Sequence, residues 1–320
     1  MFTSFHSKTM WQFLGDYETQ VSEGGEADLD GHYTRCAKNP GHKHFIPVDT
    51  FSLEDLPVSY RDPCLSDLIK ATAGLTVRVS VPMTSSDRPA FWPSSHVPYP
   101  FYSRRGSCVL RTGTGRVMEV NKIKASSQCT CQKCVTKLQT PKKAQWELLI
   151  MSAAHVVYDD TESKHTSIRL FYDRKESPDV ILHADSIVNL NIEEDRCMFK
   201  CVTCDKKLGD KLKRNLKHWE SLWFSIDQKY RESKDVHKLS FIVSHPHGCR
   251  KMVSIGQWVD KQHVDLSEDL LKFTYRTCTC PGSSGAQVYF VGYIGGFREH
   301  VHSGSFSSEG LNFSGIGIVF

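Results

Sequence analysis

Three side chains in the last two thirds of the chain have the types and settings that acyl transfer needs: His155, Asp195 and Ser284. Ser284 lies in Cys280-Pro-Gly-Ser-Ser-Gly-Ala286. Acyl transfer requires an exposed nucleophile and two backbone N–H groups aimed at the developing oxyanion. A Gly-x-Ser-Gly turn supplies both. Gly282 permits the sharp turn, the N–H groups of Gly282 and Ser284 can converge on one point, and Ser284 presents its hydroxyl. An ordinary serine and glycine loop has the same composition. His155 ends the run Leu148-Leu-Ile-Met-Ser-Ala-Ala-His155, where a buried strand gives way to two small residues that let an imidazole approach a neighbour. A single histidine in such a place is more often structural, and its position ahead of the serine is what favours it. Asp195 opens the alternating strand Asp195-Arg-Cys-Met-Phe-Lys-Cys201. A carboxylate there can be buried against the histidine, fix its tautomer and stabilise imidazolium. Asp185, Glu193, Glu194 and Asp205 are rivals, and Asp195 is preferred because it directly precedes the strand. A solvated acid at a strand start is the plainer alternative.

The elements around these residues read as short strands. From about residue 105 they are expected at Ser107–Leu110, Arg116–Asn121, Trp146–Ser152, Thr166–Tyr172, Asp179–Leu182, Cys197–Thr203, Leu239–Ser244, Met252–Trp258, Lys272–Arg276, Gln287–Gly292 and Leu311–Phe320. Many short strands separated by turn residues indicate an all-β barrel or sandwich. One amphipathic helix is expected around 206–220, with Leu208, Leu212, Leu216 and Trp219 on one side. Ahead of this region, Leu65, Leu68 and Ile69 follow Pro63 at helical spacing, and Leu75–Val81 alternates like a strand. Five prolines between 82 and 100 mark a connector. The first forty residues, acidic in patches among glycines, read as loosely packed.

With 320 residues, 39% hydrophobic and 24% charged, the chain can bury a substantial core. A net charge of +4 is far from the footprint of a dedicated nucleic-acid binder. Lys206, Lys207, Lys211, Lys213, Arg214 and Lys217 form a basic stripe. No aromatic platform accompanies them, so they read as a solvated helix face and a nucleic-acid partner is not expected. There is no apolar run long enough for a membrane span and no signal-peptide pattern, so a cytoplasmic or otherwise intracellular setting is expected. Of the 12 cysteines, Cys129, Cys131 and Cys134 pack three thiols into six residues. They could belong to a structural zinc site, to disulfides, or stay free. Cys197 and Cys201 sit on the Asp195 strand, where cysteine serves as a small buried hydrophobe. Cys36, His42 and His44 form a weaker cluster to which no metal is assigned.

The ordered set of motifs resembles the chymotrypsin/trypsin-like serine peptidases. Ser152-Ala-Ala-His155 is similar to their histidine motif, Asp195-Arg-Cys-Met-Phe-Lys-Cys201 to their aspartate strand, and Gly282-Ser-Ser284-Gly-Ala to their nucleophile loop. The order His, Asp, Ser is the chymotrypsin order. The resemblance covers roughly residues 105–320 and implies two six-stranded antiparallel β-barrels with the site between them. Barrel one would span about 101–210 and barrel two about 235–320. Residues 1–100 would be a partly disordered accessory or regulatory extension containing a short helix and a strand. Arg111-Thr-Gly-Thr-Gly115 resembles the entry to an early strand of the first barrel, and Ser244-His-Pro-His-Gly248 the early strands of the second.

The departures from the family pattern are informative. Ser283 stands where members activated by cleavage carry an aspartate, and no Ile-Val-Gly-Gly-like start is present, so the likeness is to members that need no such activation. No cysteine follows Cys280, so the usual bridge of secreted members has no downstream partner. The residue six before the nucleophile, Cys278, would floor the specificity pocket, which disfavours Lys or Arg before the scissile bond. His300-Val-His302-Ser-Gly304 resembles the segment by which some members read Glu or Gln. His302, Ser303 and Gly304 are therefore expected to line the pocket. The resemblance implies a serine endopeptidase acting on protein or peptide through an acyl-enzyme, with no cofactor for catalysis. A peptidase fold that binds without turnover is the alternative.

Overall fold

The computed structural model describes residues 15–124, 144–264, 270–293, 300–306 and 308–318. Strands dominate. In chain order the first are β1 Asp16–Tyr17, β2 Gln20–Ser22, β3 Ile46–Pro47, β4 Thr76–Val81, β5 Leu110–Lys124 and β6 Ala144–Ser152. Then follow β7 Ser167–Leu170, β8 Val180–Asn191, β9 Arg196–Thr203, β10 Leu239–Ser244 and β11 Met252–His263. The last are β12 Leu270–Tyr275, β13 Val288–Phe290, β14 His302–Phe306, β15 Leu311–Ser314 and β16 Gly317–Ile318.

These strands make two antiparallel sheets rather than two matching sets of six. The first has seven strands in the order β2-β5-β4-β7-β8-β9-β6, and β6 pairs back onto β5. Six strands thus pair in a ring, with β2 added outside β5. The second has nine strands along the open path β1-β14-β15-β12-β11-β10-β13, with β16 on β12 and β3 on β11. Near its β13 end, residues 285–288 reach the segment entering β14 through the bridge of Gln287 to Val301 and through backbone bonds such as Val288 N–H to the His300 carbonyl at 3.0 Å. The strand counts exceed the expectation mainly because residues before 50 supply three strands, β1 and β3 to the second sheet and β2 to the first, and the short β16 adds another to the second. The stretch read as loosely packed is therefore held by backbone pairing to both sheets. β4 also lies inside the first sheet, between β5 and β7, so residues before and after 100 share one sheet.

Local sequence explains the strand faces. On β9, Cys197, Phe199, Cys201 and Thr203 are buried while Met198, Lys200 and Val202 are partly exposed, the period-two pattern of a half-buried strand. β10 is buried throughout, as its continuous run Leu-Ser-Phe-Ile-Val-Ser requires. β5 runs unbroken through Gly113 and Gly115, where two shorter strands were expected. A Cβ on Gly113 would stand 2.8 Å from Cγ1 of Val156 and 3.0 Å from the carbonyl oxygen of Ser284. The bare backbone there lets the His155 turn and the serine loop close on the sheet.

Two longer helices cover the first sheet. Pro63–Leu75 buries Leu65, Leu68 and Ile69 as the spacing predicts, and Asp62 caps it by accepting from the N–H of Cys64. Lys206–Tyr230 is longer than the sequence suggested and is capped by Asp205. It buries Leu212 and Trp219 and leaves Lys206, Lys207, Lys211, Arg214 and Lys217 in solvent. The indole of Trp219 donates to Oγ1 of Thr72 at 2.8 Å, tying the helices together. One apolar core runs from these helices through Leu148, Ile150 and Phe199 to Phe241 and Val253 of the second sheet. A separate core inside the second sheet centres on Phe273, stacked 3.9 Å from Phe290. None of the described helices is long and apolar enough to cross a membrane.

Candidate active site

The site lies where the edges of the two sheets meet. β6 ends at Ser152, and its hydroxyl donates to the carbonyl of Thr114 at 2.8 Å. Ala153 and Ala154, fully buried, leave room for the turn that carries His155 inward. A buried ion cluster braces that turn from behind. Glu162 accepts from Nε and Nη2 of Arg88 at 2.7 Å each and pairs with Arg111 at 2.9 Å. Nη2 of Arg88 also donates to the carbonyl of His155 at 3.0 Å. Burial alone would raise the Glu162 carboxyl, but Arg88 and Arg111 outweigh it and hold the acid below its ordinary range.

Asp195 sits in the tight turn before β9 with φ +52, a left-handed conformation uncommon for a residue with a side chain. The turn aims its carboxylate at His155. Oδ1 accepts from the backbone N–H of His155 at 3.0 Å, and both oxygens lie within 2.9 Å of its Nδ1. The hydroxyl of Ser303 donates to Oδ2 at 2.5 Å. On the far side of the ring, Nε2 of His155 is 2.8 Å from Oγ of Ser284. Burial lowers nearby Lys272 to about 7, although Asp195 pulls it back up.

Gly282 holds φ +96, which only glycine adopts freely, so the loop before Ser284 turns back sharply. Oγ1 of Thr114 donates to the Gly282 carbonyl at 2.8 Å and its N–H to the Ser284 carbonyl at 2.8 Å. The loop is thereby pinned to β5. The N–H groups of Gly282 and Ser284 then point the same way and meet a single acceptor, the backbone carbonyl of Glu18, at 2.6 and 3.3 Å.

Glu18 belongs to the chain's own N-terminal segment, and that segment runs through the site. Ahead of it β1 pairs with β14, Tyr17 opposite Gly304 and Asp16 opposite Ser305. The N–H of Glu18 donates to the Ser303 carbonyl at 3.3 Å. A Cβ on Gly304 would stand 2.2 Å from the carbonyl oxygen of Asp16, so glycine there is what admits the strand. Beyond Glu18, β2 pairs with β5, Gln20 opposite Thr112. The Tyr17 ring lies 4.8 Å from that of His155, and with this cover both His155 and Ser284 are fully buried.

The Glu18 side chain enters a polar pocket. Oε2 lies 2.7 Å from Nε2 of His302. Oε1 accepts from the Ser305 hydroxyl at 3.1 Å and pairs with Nζ of Lys38. Burial would raise this carboxyl, yet His302 and Lys38 together hold it down to about 2. Burial pushes His302 below its ordinary value against the opposing pull of Glu18. Its Nδ1 lies 2.6 Å from the Tyr275 hydroxyl. A neutral imidazole accepting there carries its proton on Nε2 and donates it to the carboxylate.

The expected residues are therefore distributed as follows. His155, Asp195 and Ser284 come together, with the N–H groups of Gly282 and Ser284 beside them. His302, Ser303 and Gly304 line the groove, the first by its ring and the others mainly by backbone. Cys278 packs, partly buried, against Cys36, Phe45, Met252 and Cys280, and the polar contacts of Glu18 come from other residues. Cys129, Cys131 and Cys134 lie outside the described residues. Sequence reasoning passed over Glu18, Lys38, Tyr275 and Ser305. None stands in a motif, and Glu18 lies in a stretch whose composition suggests only loose polar chain.

No protein-family model matches the chain, and no curated protein matches its sequence. Among solved structures it is similar to the HtrA-type protease AlgW with decapeptide, at 11% identity and a TM-score of 0.40, over 78% of this chain and 63% of that one. The chain thus spans less than two thirds of that protease's length. It is also similar to the Rv3671c protease from M. tuberculosis in its active form, at 13% identity and a TM-score of 0.38, over 79% of this chain and 82% of that one.

Proposed function

We propose that this protein is a serine endopeptidase of trypsin-like architecture that cuts after glutamate, and less readily after glutamine. The observation that carries the reading is the engagement of Glu18. A peptide carbonyl faces two converging N–H groups beside a serine whose hydroxyl meets an imidazole, and its side chain is read by a donor histidine. The two sheets play the parts of the two barrels, with His155 and Asp195 from the first and Ser284 from the loop joining β12 to β13 in the second. Residues 15–100 belong to the same unit, since they supply strands to both sheets.

In this reading Oγ of Ser284 attacks the carbonyl carbon while Nε2 of His155 takes its proton. Negative charge gathers on the carbonyl oxygen, where the N–H groups of Gly282 and Ser284 stabilise it. Asp195 keeps the proton of His155 on Nδ1 and balances the imidazolium. The leaving amine takes the proton from His155, and water, activated by the same ring, hydrolyses the acyl-enzyme. Strand β14 holds the substrate by backbone pairing, which is insensitive to sequence. Selectivity falls to the pocket, where His302 donates to Glu or Gln and Lys38 adds a full charge that favours Glu.

Labelling with a fluorophosphonate probe tests the reading, because the probe needs an activated serine. Since the Glu18 side chain anchors the segment whose backbone covers Ser284, labelling is read on wild type and on Glu18→Ala, which frees that segment, with Ser284→Ala and His155→Ala as controls. Labelling lost in both controls is expected. Folded protein that stays unlabelled in every form would instead favour a peptidase fold that binds without turnover.

A further inference from the structure

Four side chains apart from the triad converge at the base of the serine loop. Cys36 and His42 come from the N-terminal segment, His247 from the turn Pro246–Gly248 after β10, and Cys280 stands four residues before Ser284. All four are buried, and their ligand atoms lie within 4.8 Å of one another. The two sulfurs are 3.5 Å apart. A tetrahedral zinc with bonds of about 2.3 Å to sulfur separates two thiolates by about 3.8 Å, so only a small adjustment closes the set.

The two histidines point to a ligand. His42 is 5% and His247 3% exposed, and Nε2 of each is buried without a hydrogen-bond partner. Leaving such a nitrogen unpaired costs about 1–3 kcal/mol. Their rings stand at 88° with centroids 5.3 Å apart. Nδ1 of His247 lies 2.8 Å from Oε1 of Gln20, which accepts its proton and leaves the lone pair on Nε2. Asn39 serves the sulfurs in the same way. Its backbone N–H donates to Cys36 at 3.3 Å and its side-chain amide to Cys280 at 3.2 Å.

We propose that Cys36, His42, His247 and Cys280 bind one zinc ion as a closed Cys2His2 site. The two thiol protons leave to solvent and the imidazoles bind neutral, so the occupied site carries no net charge, as its burial demands. Four protein ligands leave no open position, and the role is structural. The ion clamps residues 36–42 of the N-terminal segment to the loop that presents Ser284.

Metal analysis of protein purified under reducing conditions tests this. Cys129, Cys131 and Cys134 form a second thiol cluster, so variants separate the two. Cys36→Ser and His42→Ala are each expected to lose one equivalent of zinc, which Cys129→Ser/Cys131→Ser/Cys134→Ser retains. Where a variant fails to fold, cobalt(II) added to chelated wild type gives the second readout. The visible absorption of a tetrahedral thiolate site is expected, and Cys36→His should restore binding. Unchanged zinc in both Cys36→Ser and His42→Ala overturns the proposal, as does metal-free wild type with a Cys36–Cys280 disulfide.

A second inference comes from the N-terminal segment and rests on the peptidase reading. β1 pairs with β14 ahead of the Glu18–Thr19 bond and β2 with β5 beyond it, and the Glu18 carbonyl between them faces the N–H groups of Gly282 and Ser284. We infer that the enzyme cuts itself there. Ser284 Oγ bonds to the Glu18 carbonyl carbon, Thr19 leaves as a free amine with the proton from His155, and water releases Glu18 as a carboxylate. N-terminal sequencing of wild type should find a chain beginning at Thr19, and the bond should survive in Ser284→Ala. An intact wild-type bond together with probe-labelled Glu18→Ala overturns this inference and leaves the peptidase reading standing. An intact bond with no labelling in either form overturns both.

Discussion

The carboxylate of Glu18 and the imidazole of His302 meet at 2.7 Å in a site from which both are shielded from water. The pair joins the link between β1 and β2 to the start of β14. With Nδ1 of the ring 2.6 Å from the Tyr275 hydroxyl, Nε2 is the nitrogen left to face the carboxylate as a donor.

Removing that donor should change selectivity. His302→Ala should lower kcat/KM for a peptide with Glu before the cut by roughly 100-fold, the effect of leaving a buried carboxylate without its main donor. Alanine at the same substrate position should be affected much less. Measured kcat/KM ratios for the two peptides check this, and equal losses for both would remove His302 from the pocket role.

Asp195→Asn should leave the imidazole in place with the wrong tautomer facing Ser284. A loss of about 10⁴ in kcat with little change in KM is expected, as in triads of this kind. Steady-state kinetics on a cleaved peptide is the measurement. A loss carried by KM instead would mean that Asp195 shapes substrate binding rather than the ring.

Glu162→Ala should destabilise the fold by about 3–5 kcal/mol, because it strands two buried guanidinium groups. Both Arg88 and Arg111 are fully buried beside it. Urea denaturation gives the number. Since Arg88 also holds the His155 carbonyl, the folded fraction should show reduced kcat, whereas a stable and fully active variant would contradict the bracing role.

His300 supplies a pH dependence. Burial lowers it to about 4, and its Nε2 stays 3.0 Å from the carbonyl of Leu271. An unfolded histidine titrates near 6.5. Above that value both states are neutral and the full stability is present. As pH falls from about 6.5 towards 4, the unfolded chain binds a proton that the folded one refuses. Stability should therefore drop by up to about 3 kcal/mol. Urea midpoints between pH 7.5 and 4.5 for wild type and His300→Gln should converge as the pH falls, and a gap independent of pH would refute the assignment.

Much of the site was legible because its demands are local. Small residues before His155 are needed for a ring to turn inward, an acid must open β9, and glycine must stand at φ +96 before Ser284. Each need is met within a few residues, so each leaves a pattern. The strand faces were legible for the same reason, since alternation on β9 records a half-buried sheet. The strand count was less so. β1, β2 and β3 are two or three residues long, too short to show a period, and their stability comes from partners far along the chain.

The residue types able to do chemistry, their order and the predominance of β structure are all written along the chain. What meets what is settled only by folding. Glu18 and His302 are 284 positions apart, Cys36 and Cys280 244. No spacing rule spans such distances, because the pairing depends on how two sheets close around a segment whose own composition is merely polar. The same physics applies to Cys278: its place before the serine suggested a pocket floor, and the folded chain sets it, partly buried, against the cluster of Cys36, Phe45, Met252 and Cys280. Local backbone requirements are written in local sequence, whereas convergence of distant side chains is a property of the folded surface alone.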